Sequence, residues 1–386
     1  MIARGDVEWE LARRLLAGTR EAVRGLTMEE EAPYIRLDPH AGAYSLGPNE
    51  QFWGGFMLGR GWLLANLFDD QELTDALRDR ARHVAALMDI PNVDTGFAGY
   101  YGLALGAEVT GDSVLREAAT RGAASVAELF DPSVGVVLTL TRAPDARLAD
   151  LAFAEVFCRR ELLVDTAAIL DLNWWAAGER REDVPMLVSH ADRTIALGLV
   201  EPDGRGHHAI DFAADDAPRR LHTHQGIGAD TRWSRATAWA AVGFATAYAA
   251  TGDRRYAEVS LASVRYLVDA IGDGVVPLFD LDAPAGSPED SCSTAIILAA
   301  AERLRDAGVD LPDEVESYLN RAYRELLERY VTPGGTLLHG CWGSIGDRLT
   351  ESVMPYGNYF LAEALYRRLG GRDVWGIRNV TEEAHA

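Results

Sequence analysis

The stretch TAWAAVGFATAYAATGDRRYAEVSLASVRYLV (Thr237–Val268) decides the fold, because its pattern is that of two helices joined by a short turn. Apolar residues recur at helical spacing in both halves, and the first half is rich in Ala while the second carries more charge. Thr251, Gly252 and Asp253 stand between the halves. Gly ends a helix in the left-handed conformation and Asp caps the start of the next, so the stretch predicts an antiparallel helical hairpin.

The same hairpin recurs along the chain. Tyr100–Phe130 is the clearest second copy, and it carries Thr110, Gly111 and Asp112 at its turn. A repeated supersecondary unit is typical of architectures in which each helical pair packs against the next. Weaker copies and two single helices complete the set: Phe52–Met88, Asp165–Gly198 and Ser291–Tyr330, then Asp6–Leu26 and Tyr356–Leu369.

Five hairpins and two single helices that can pair with each other give twelve helices in six pairs. We therefore predict an all-α fold, an (α/α)6 toroid of six helical hairpins in a single domain over residues 1–386. Ala-rich helices would line the inside of the ring and charged helices the outside. The alternative is an open helical solenoid. The long connections that follow the outer helices favour the ring, because in a closed ring they all gather on one face. We expect the pocket on that face, together with small β-hairpins such as one at His207–Phe212.

Composition restricts the function. The 386 residues include 59 acidic and 37 basic residues, and the net charge of −22 disfavours nucleic acid or an anionic membrane as a partner. All basic residues are Arg, which excludes a lysine Schiff base and a lysine phosphate loop. No apolar stretch of about 20 residues and no secretory signal is visible, so we expect a cytoplasmic protein that acts on a small molecule. The oligomeric state stays open.

Cysteine and histidine spacing indicates neither a disulfide framework nor a metal site. Cys158, Cys292 and Cys341 lack CxxC spacing, and an odd number of thiols cannot all pair within the chain. Together with His339 they could supply zinc ligands, but the close pairs that zinc sites usually contain are missing. We expect reduced thiols, no metal and no cofactor.

Two aspartates are candidates for acid–base chemistry. Asp165 interrupts the apolar run ELLVDTAAILDLNWWAA, where it either caps a helix or is a buried general acid with a raised pKa. Asp94 lies in NVDTGF, where it either forms an ordinary turn or faces the same pocket. Two carboxyl groups in one pocket would make each other harder to ionise and would divide acid and electrostatic roles.

The densest polar and aromatic cluster is LHTHQGIGADTRWSRATAW (Leu221–Trp239). An Arg at the start of a helix is disfavoured by the helix dipole, so Arg235 needs a protein carboxylate or a bound anion nearby. Arg recognises carboxylates and Trp stacks on sugar faces, which indicates carbohydrate binding. The alternative is a Trp–Arg stack without a ligand. Residues His207 and His208 are either satisfied loop histidines or functional ones.

Short segments in a fixed order run through most of the chain, from about Gln51 to Leu369. In that order and on that helical repeat they resemble motifs of glycoside hydrolase family 88, the unsaturated glucuronyl hydrolases, although each is weak alone. The segments are Gln51–Gly55, Asp94–Phe97, Val164–Thr166, His208 after Asp203 and Gly204, Thr223–Gly226, Trp233–Trp239, Pro277–Asp280, Asp290–Ser293, Leu338–Gly340 and Tyr356–Phe360.

The resemblance implies a toroidal hydrolase without a metal or cofactor. Its substrate would be a lyase-generated oligosaccharide, such as a disaccharide, from whose non-reducing end it removes a 4,5-unsaturated uronic acid by hydrating the vinyl ether. The resemblance implies that Asp165 protonates C4 and then assists water at C5, while Asp94 holds sugar hydroxyls and influences Asp165. The residues implied in substrate binding are Trp53, His208, His224, Gln225, Trp233, Arg235, Trp239 and Ser344.

The chain departs from the family pattern at two places. Residues 138–162 are a longer and more helix-like connection, so Asp150, Glu155 and Asp171 stay as weaker candidates for the acid. No Lys is present to bind sulfate near Cys341–Ser344, so an unsulfated substrate is expected. Three other functions stay open: a hydrolase of unsaturated rhamnogalacturonan fragments, a sugar epimerase, and a carbohydrate-binding toroid without catalysis.

Overall fold

The computed structural model describes most of the chain. The described ranges are residues 5–25, 50–139, 160–178, 180–212, 218–343 and 352–377. Within them, only the backbone is described at residues 25, 50–53, 181 and 218–220. The predicted Asp150, Glu155, Cys158 and Ser344 lie outside these ranges, as does most of the extended connection 138–162.

The prediction of a mostly helical chain is confirmed. Helix α4 consists of three consecutive segments, the middle one π-helical, and α6 consists of two. The helices are α1 Asp6–Gly25, α2 Glu50–Leu67, α3 Gln71–Ala85, α4 Asp94–Phe97 with Ala98–Ala104 and Leu105–Thr110, α5 Ser113–Ala127, α6 Thr166–Ile169 with Asp171–Ala176, α7 Val184–Ala196, α8 Ser234–Thr251, α9 Arg254–Ile271, α10 Ser291–Asp306, α11 Asp313–Glu325 with π-helical Leu326–Tyr330, and α12 Pro355–Arg368.

The two predicted turns are present, with the predicted chemistry. Gly111 ends α4 and Gly252 ends α8, both in the left-handed conformation, with φ of 71° and 70°. Asp112 accepts hydrogen bonds from the first amides of α5, and Asp253 accepts one from the first turn of α9. The glycine therefore stops one helix, and the aspartate starts the next.

Alternate helices contact one another in a cyclic order. Helix α2 packs against α4, α4 against α6, α6 against α8, α8 against α10, α10 against α12, and α12 returns to α2. Helix α1 packs against both α2 and α12, so the two helices that were predicted to pair are in contact. Buried apolar side chains from Val7 to Val374 form one continuous cluster.

Small residues allow helices α4 and α8 to approach α6 closely where the site forms. A Cβ atom at Gly243 of α8 would lie 2.5 Å from the backbone of Ala167 in α6, and one at Gly96 of α4 would lie 2.4 Å from the carbonyl oxygen of Ile169. Such distances exclude any larger residue without movement of the backbone. The first turns of α4 and α6 are therefore held together beside α8.

Short strands lie beside the first turns of α6 and α8. Strand β1 (Phe130–Asp131) pairs with β2 (Val136–Val137), and a second antiparallel sheet has the order β3 (Glu161–Leu163), β4 (Ala209–Phe212), β5 (Pro218–His222). The predicted strand character of His207–Phe212 corresponds to β4. Strand β3 leads directly into α6, and β5 leads through a turn toward α8. No described helix is both long enough and apolar enough to cross a bilayer.

Candidate active site

Asp165 immediately precedes α6 and does not cap it. Its backbone is already helical, and its side chain makes no hydrogen bond to the first turn. Its Oδ1 atom is buried and has no hydrogen-bond partner among the described residues. Burial raises the pKa of Asp165 to about 7; nearby Asp94 adds to the rise, and the positive charge of Arg235 opposes it. Asp165 is thus a carboxylic acid that carries its proton near neutral pH.

Asp94 opens α4 beside it. The backbone amide of Asp94 donates to Oδ1 of Asn92 at 2.9 Å, and its half-buried carboxyl group has a pKa raised to about 7 by burial. The close contact of Gly96 with α6 brings this turn against the one that follows Asp165. The structure therefore brings the two predicted aspartates into electrostatic contact.

Arg235 is at the centre of a hydrogen-bonded network. It is 1% exposed, and its Nη1 atom donates to Oδ2 of Asp290 and, at 2.6 Å, to the carbonyl oxygen of Cys341. Its Nη2 atom donates to Oε1 of Gln225 at 2.6 Å and to the carbonyl oxygen of Trp342 at 2.7 Å. The sequence left open whether a protein carboxylate or a bound anion compensates the charge of Arg235. In the structure a protein carboxylate, that of Asp290, does so. The guanidinium positions neighbouring segments instead of extending toward solvent.

Aromatic rings enclose this network. The Arg235 guanidinium lies over the ring of Trp233, 4.7 Å from its centroid, and 5.3 Å from the centroid of Tyr356. This is the Trp–Arg stack that was considered from sequence, formed with Trp233. Trp239 is 2% exposed and packs against Phe97 with 5.5 Å between ring centroids. Both tryptophans are thus buried walls of the site.

His208 is a neutral, oriented imidazole. Its Nδ1 atom accepts a hydrogen bond from the backbone amide of His224 at 3.2 Å and lies 3.1 Å from Oγ1 of Thr223. Burial, together with the charges of His222, His224 and Arg235, lowers the pKa of His208 well below its ordinary value. Since Nδ1 is an acceptor, the ring carries its proton on Nε2, which is left as a donor. His208 is thus oriented by the loop that follows β5, as a catalytic-site imidazole needs to be.

Not every predicted residue joins this group. His224 directs Nε2 to the carboxylate of Glu161, at 3.0 and 3.1 Å from its two oxygens. Trp53 lies in the first turn of α2, where the side chain is outside the described part of the structure, and Ser344 is outside it as well. Asp171, a weaker candidate for the acid, accepts hydrogen bonds from Arg303 at 2.8 Å and Tyr101 at 2.9 Å within the helical core. Burial raises the pKa of Asp171 as well and leaves its Oδ1 atom without a hydrogen-bond partner among the described residues, but the side chain is fully buried beside Arg303, where a substrate does not reach it.

Sequence reasoning gave no role to three residues of the site. Asp290 caps α10, accepts from the backbone amide of Cys341 at 3.2 Å, and holds Arg235. Tyr356 borders the guanidinium, and buried Glu161 contacts two histidines. Asp290 and Tyr356 stand in segments that carried the family resemblance. A search for histidines two apart in a strand would have singled out His222 and His224, and through them Glu161.

Solved structures establish the class of the fold. An unsaturated glucuronyl hydrolase specific for heparin superposes with a TM-score of 0.82, covering 94% of this chain and 96% of its own at 20% sequence identity. The unsaturated glucuronyl hydrolase of Bacillus sp. GL1 gives a TM-score of 0.80, with 93% and 96% covered at 19% identity. The chain has the fold of these helical carbohydrate hydrolases. No family model matches the sequence.

Curated relatives carry the same name or that of another unsaturated disaccharide hydrolase. An unsaturated glucuronyl hydrolase of Formosa agariphila is 29% identical over 195 residues, which is 47% of this chain and 47% of that protein. An unsaturated chondroitin disaccharide hydrolase of Streptococcus agalactiae is 20% identical over 341 residues, 84% of this chain and 83% of that protein. This chain is a relative of the unsaturated glucuronyl hydrolases of glycoside hydrolase family 88, so the resemblance seen in the sequence is confirmed.

Proposed function

We propose that this protein is a glycoside hydrolase that removes a 4,5-unsaturated uronic acid from the non-reducing end of lyase-generated oligosaccharides. One observation carries the proposal: the Asp165 carboxyl group has a buried oxygen without a hydrogen-bond partner among the described residues and a pKa near 7. Such a group holds a proton at neutral pH that no other side chain claims, which is what protonation of a carbon atom requires.

Asp165 acts first as an acid and then as a base. It transfers its proton to C4 of the unsaturated sugar, and positive charge develops at C5, where the ring oxygen stabilises it. Water then adds to C5 and returns a proton to the Asp165 carboxylate. The resulting hemiketal opens and the glycosidic bond breaks, without direct attack at C1. This route needs one acid–base residue, unlike the two-carboxylate displacement of most glycosidases.

The neighbouring residues bind and orient the sugar. Asp94 accepts hydrogen bonds from sugar hydroxyls, and its charge favours the protonated form of Asp165. His208 donates from Nε2. The side-chain oxygen of Gln225 is occupied by Arg235, so its amide nitrogen is the donor that remains. Trp233 and Trp239 contribute to sugar binding from behind the site, because Trp233 packs against Arg235 and His208 and Trp239 packs against Phe97.

The substrate carboxylate is recognised mainly by neutral donors. The charge of Arg235 is balanced at close range by Asp290, so we assign this arginine to positioning Gln225 and the loop at 341–343 and not to direct binding of the anion. The sequence contains no Lys that could bind a sulfate group, which favours an unsulfated disaccharide. Trp53 and Ser344 stay proposed contacts on the strength of the family resemblance.

We propose the (α/α)6 toroid as the architecture that carries this site, as a single domain over residues 1–386. The cyclic order of helix contacts supports a ring, and the α1–α12 contact supports its closure. The free, buried thiols of Cys292 and Cys341 fit the cytoplasmic location proposed from the sequence.

The test is hydrolysis of defined unsaturated disaccharides by the wild type and by Asp165→Asn. Loss of the ultraviolet absorbance of the conjugated double bond, together with release of the second sugar, is expected for the wild type. Asp165→Asn should abolish both while preserving the helical circular dichroism signal. Asp282→Asn, which alters an exposed carboxylate paired with Arg232, is the matched control and should stay active.

The substrate panel separates the alternatives. Fragments from alginate, gellan, hyaluronan, chondroitin and pectin, including unsaturated rhamnogalacturonan, define the substrate class. An epimerase would leave the glycosidic bond intact, and a binding protein would bind fragments without turnover. The proposed function would be rejected if the ultraviolet absorbance did not fall with any of these fragments, or if Asp165→Asn were fully active.

A further inference from the structure

A second cluster of ionisable side chains lies on the three-stranded sheet that leads into the site. One carboxylate oxygen of Glu161 and one ring nitrogen each of His222 and His224 all lie within 4.8 Å of one another. The Nε2 atom of His224 is 3.0 Å from Oε1 of Glu161, and that of His222 is 2.7 Å from Oε2. The proposed hydrolysis uses neither of these contacts.

Strand pairing explains how the cluster forms. Glu161 pairs with Asp211 across β3 and β4, and His222 pairs with Ala209 across β4 and β5. Side chains two residues apart in a strand point to the same face, so Glu161, Asp211 and His222 share one face of the sheet. His224 follows His222 by two residues and reaches the same carboxylate. His222 is thus fixed by the pairing of the sheet, whereas His224 lies in the loop that follows β5.

The hydrogen bonding within the cluster is incomplete. Glu161 is fully buried and His222 is 8% exposed. Although His222 lies near Glu161 and is 3.1 Å from Oδ1 of Asp211, its Nε2 atom makes no hydrogen bond of acceptable geometry. A buried imidazole nitrogen without a partner is costly unless something else occupies the site. This nitrogen is therefore available to a ligand that the protein itself does not supply.

We propose that Glu161, His222 and His224 bind a divalent transition-metal ion, with zinc as the best-fitting member of the class. Two neutral imidazoles and one carboxylate are a ligand set that zinc takes in proteins, leaving the fourth position to water or another oxygen. Bonds of about 2.0–2.1 Å in a tetrahedron separate neighbouring ligand atoms by about 3.3 Å. The distances of 2.7 and 3.0 Å between the carboxylate and the two imidazoles are close to that value. Asp211 is placed to supply the fourth oxygen.

The ion would serve a structural role next to the catalytic pair. Glu161 comes from β3, His222 from β5 and His224 from the loop just after β5, and β4 lies between the two strands. Asp165 follows β3, and the amide of His224 orients His208. The ion would therefore link β3 to β5. The proposed acid, Asp165, follows β3, and the loop that orients His208 follows β5. The expectation of no metal, drawn from Cys292, Cys341 and His339, did not consider this strand pair.

Metal binding is measured directly, without an assay of hydrolysis. Protein stripped with a chelator is titrated with Zn²⁺ alone in a calorimeter, and bound metal is counted by mass spectrometry after removal of free ion. We expect one zinc per chain and a higher melting temperature. Glu161→Gln and, at the more exposed ligand, His224→Ala should each weaken binding at least about ten-fold.

Two control variants distinguish zinc at this cluster from zinc at surface histidines and from the proposed hydrolysis. His83→Ala removes an exposed histidine on α3 and should leave the zinc stoichiometry at one. Asp165→Asn should bind zinc as the wild type does, even if hydrolysis is lost or was never present. Less than about one-tenth of an equivalent bound to wild type, or unchanged affinity in correctly folded Glu161→Gln and His224→Ala, would overturn the metal site.

Discussion

The proton of Asp165 sets the expected pH dependence. Its pKa is raised from 3.8 to about 7, so the protonated acid dominates below neutrality and disappears as the pH rises through 7. Because kcat/KM reports the free enzyme, it should be level near pH 6 and fall about ten-fold per unit above about pH 8. A pH series with one disaccharide measures this. A rate that stays level to pH 9 would show that Asp165 does not act as the acid.

The same buried carboxyl group should cost stability. A raised pKa means that the folded state disfavours the charged form, and this cost is absent below pH 3.8 and complete above about 7. Asp165→Asn removes the charge and should raise the free energy of unfolding at pH 8 by about 1–2 kcal/mol, allowing for partial exposure. The gain should shrink at pH 5. Urea unfolding at both pH values measures it, and an equal or larger gain at pH 5 would contradict the assignment.

At the scale of elements, Asp290 joins three segments through one carboxylate. It caps α10, holds Arg235 of α8, and accepts from the amide of Cys341. Asp290→Asn leaves the buried guanidinium without its counter-charge and should destabilise the fold by about 3–5 kcal/mol. Denaturant unfolding measures the change.

The matched control for Asp290 is an exposed pair of the same chemistry. Arg232 and Asp282 are each more than one-third exposed, so Asp282→Asn should cost no more than about 1 kcal/mol. Equal effects of the two substitutions would mean that the Arg235 network contributes no more than a surface ion pair, and the positioning role assigned to it would be wrong.

Local sequence patterns predicted helices and turns better than they predicted contacts between residues far apart in the chain. The turns at Gly111 and Gly252 follow from a few adjacent residues, and so they were predictable. Asp165 was recognised because a carboxylate in an apolar run is unusual, whether or not it caps a helix. By contrast, Asp290 meets Arg235 across 55 residues, and Glu161 meets His222 across a sheet whose pairing no local pattern specifies. Glu161 also stands at the end of a connection that looked helix-like in sequence but forms strand β3 there.

At the scale of the whole molecule, helices from the two ends of the chain complete the cyclic order of contacts. Arg60 of α2 is 5% exposed and lies where these ends meet. Its Nη2 atom donates to the carbonyl oxygens of Leu15 in α1, at 2.8 Å, and Gly335, at 2.9 Å. Its Nη1 atom donates to Oδ1 of Asn358 in α12 at 3.3 Å. One side chain thus links α2 both to α1 and to α12, the helix that completes the cyclic order.

Arg60→Met keeps much of the side-chain volume and removes these donors. Because two buried carbonyl oxygens lose a charged donor, we expect a loss of about 2–4 kcal/mol in the free energy of unfolding, with a single cooperative transition if the ring unfolds as a unit. Arg329→Met, at a largely exposed arginine paired with Glu325, should change stability far less than Arg60→Met does. Circular dichroism and tryptophan fluorescence, followed together in urea, measure both variants. If Arg60→Met were no more destabilising than Arg329→Met, the junction of α1, α2 and α12 would not depend on this arginine, and closure would rest on apolar packing alone.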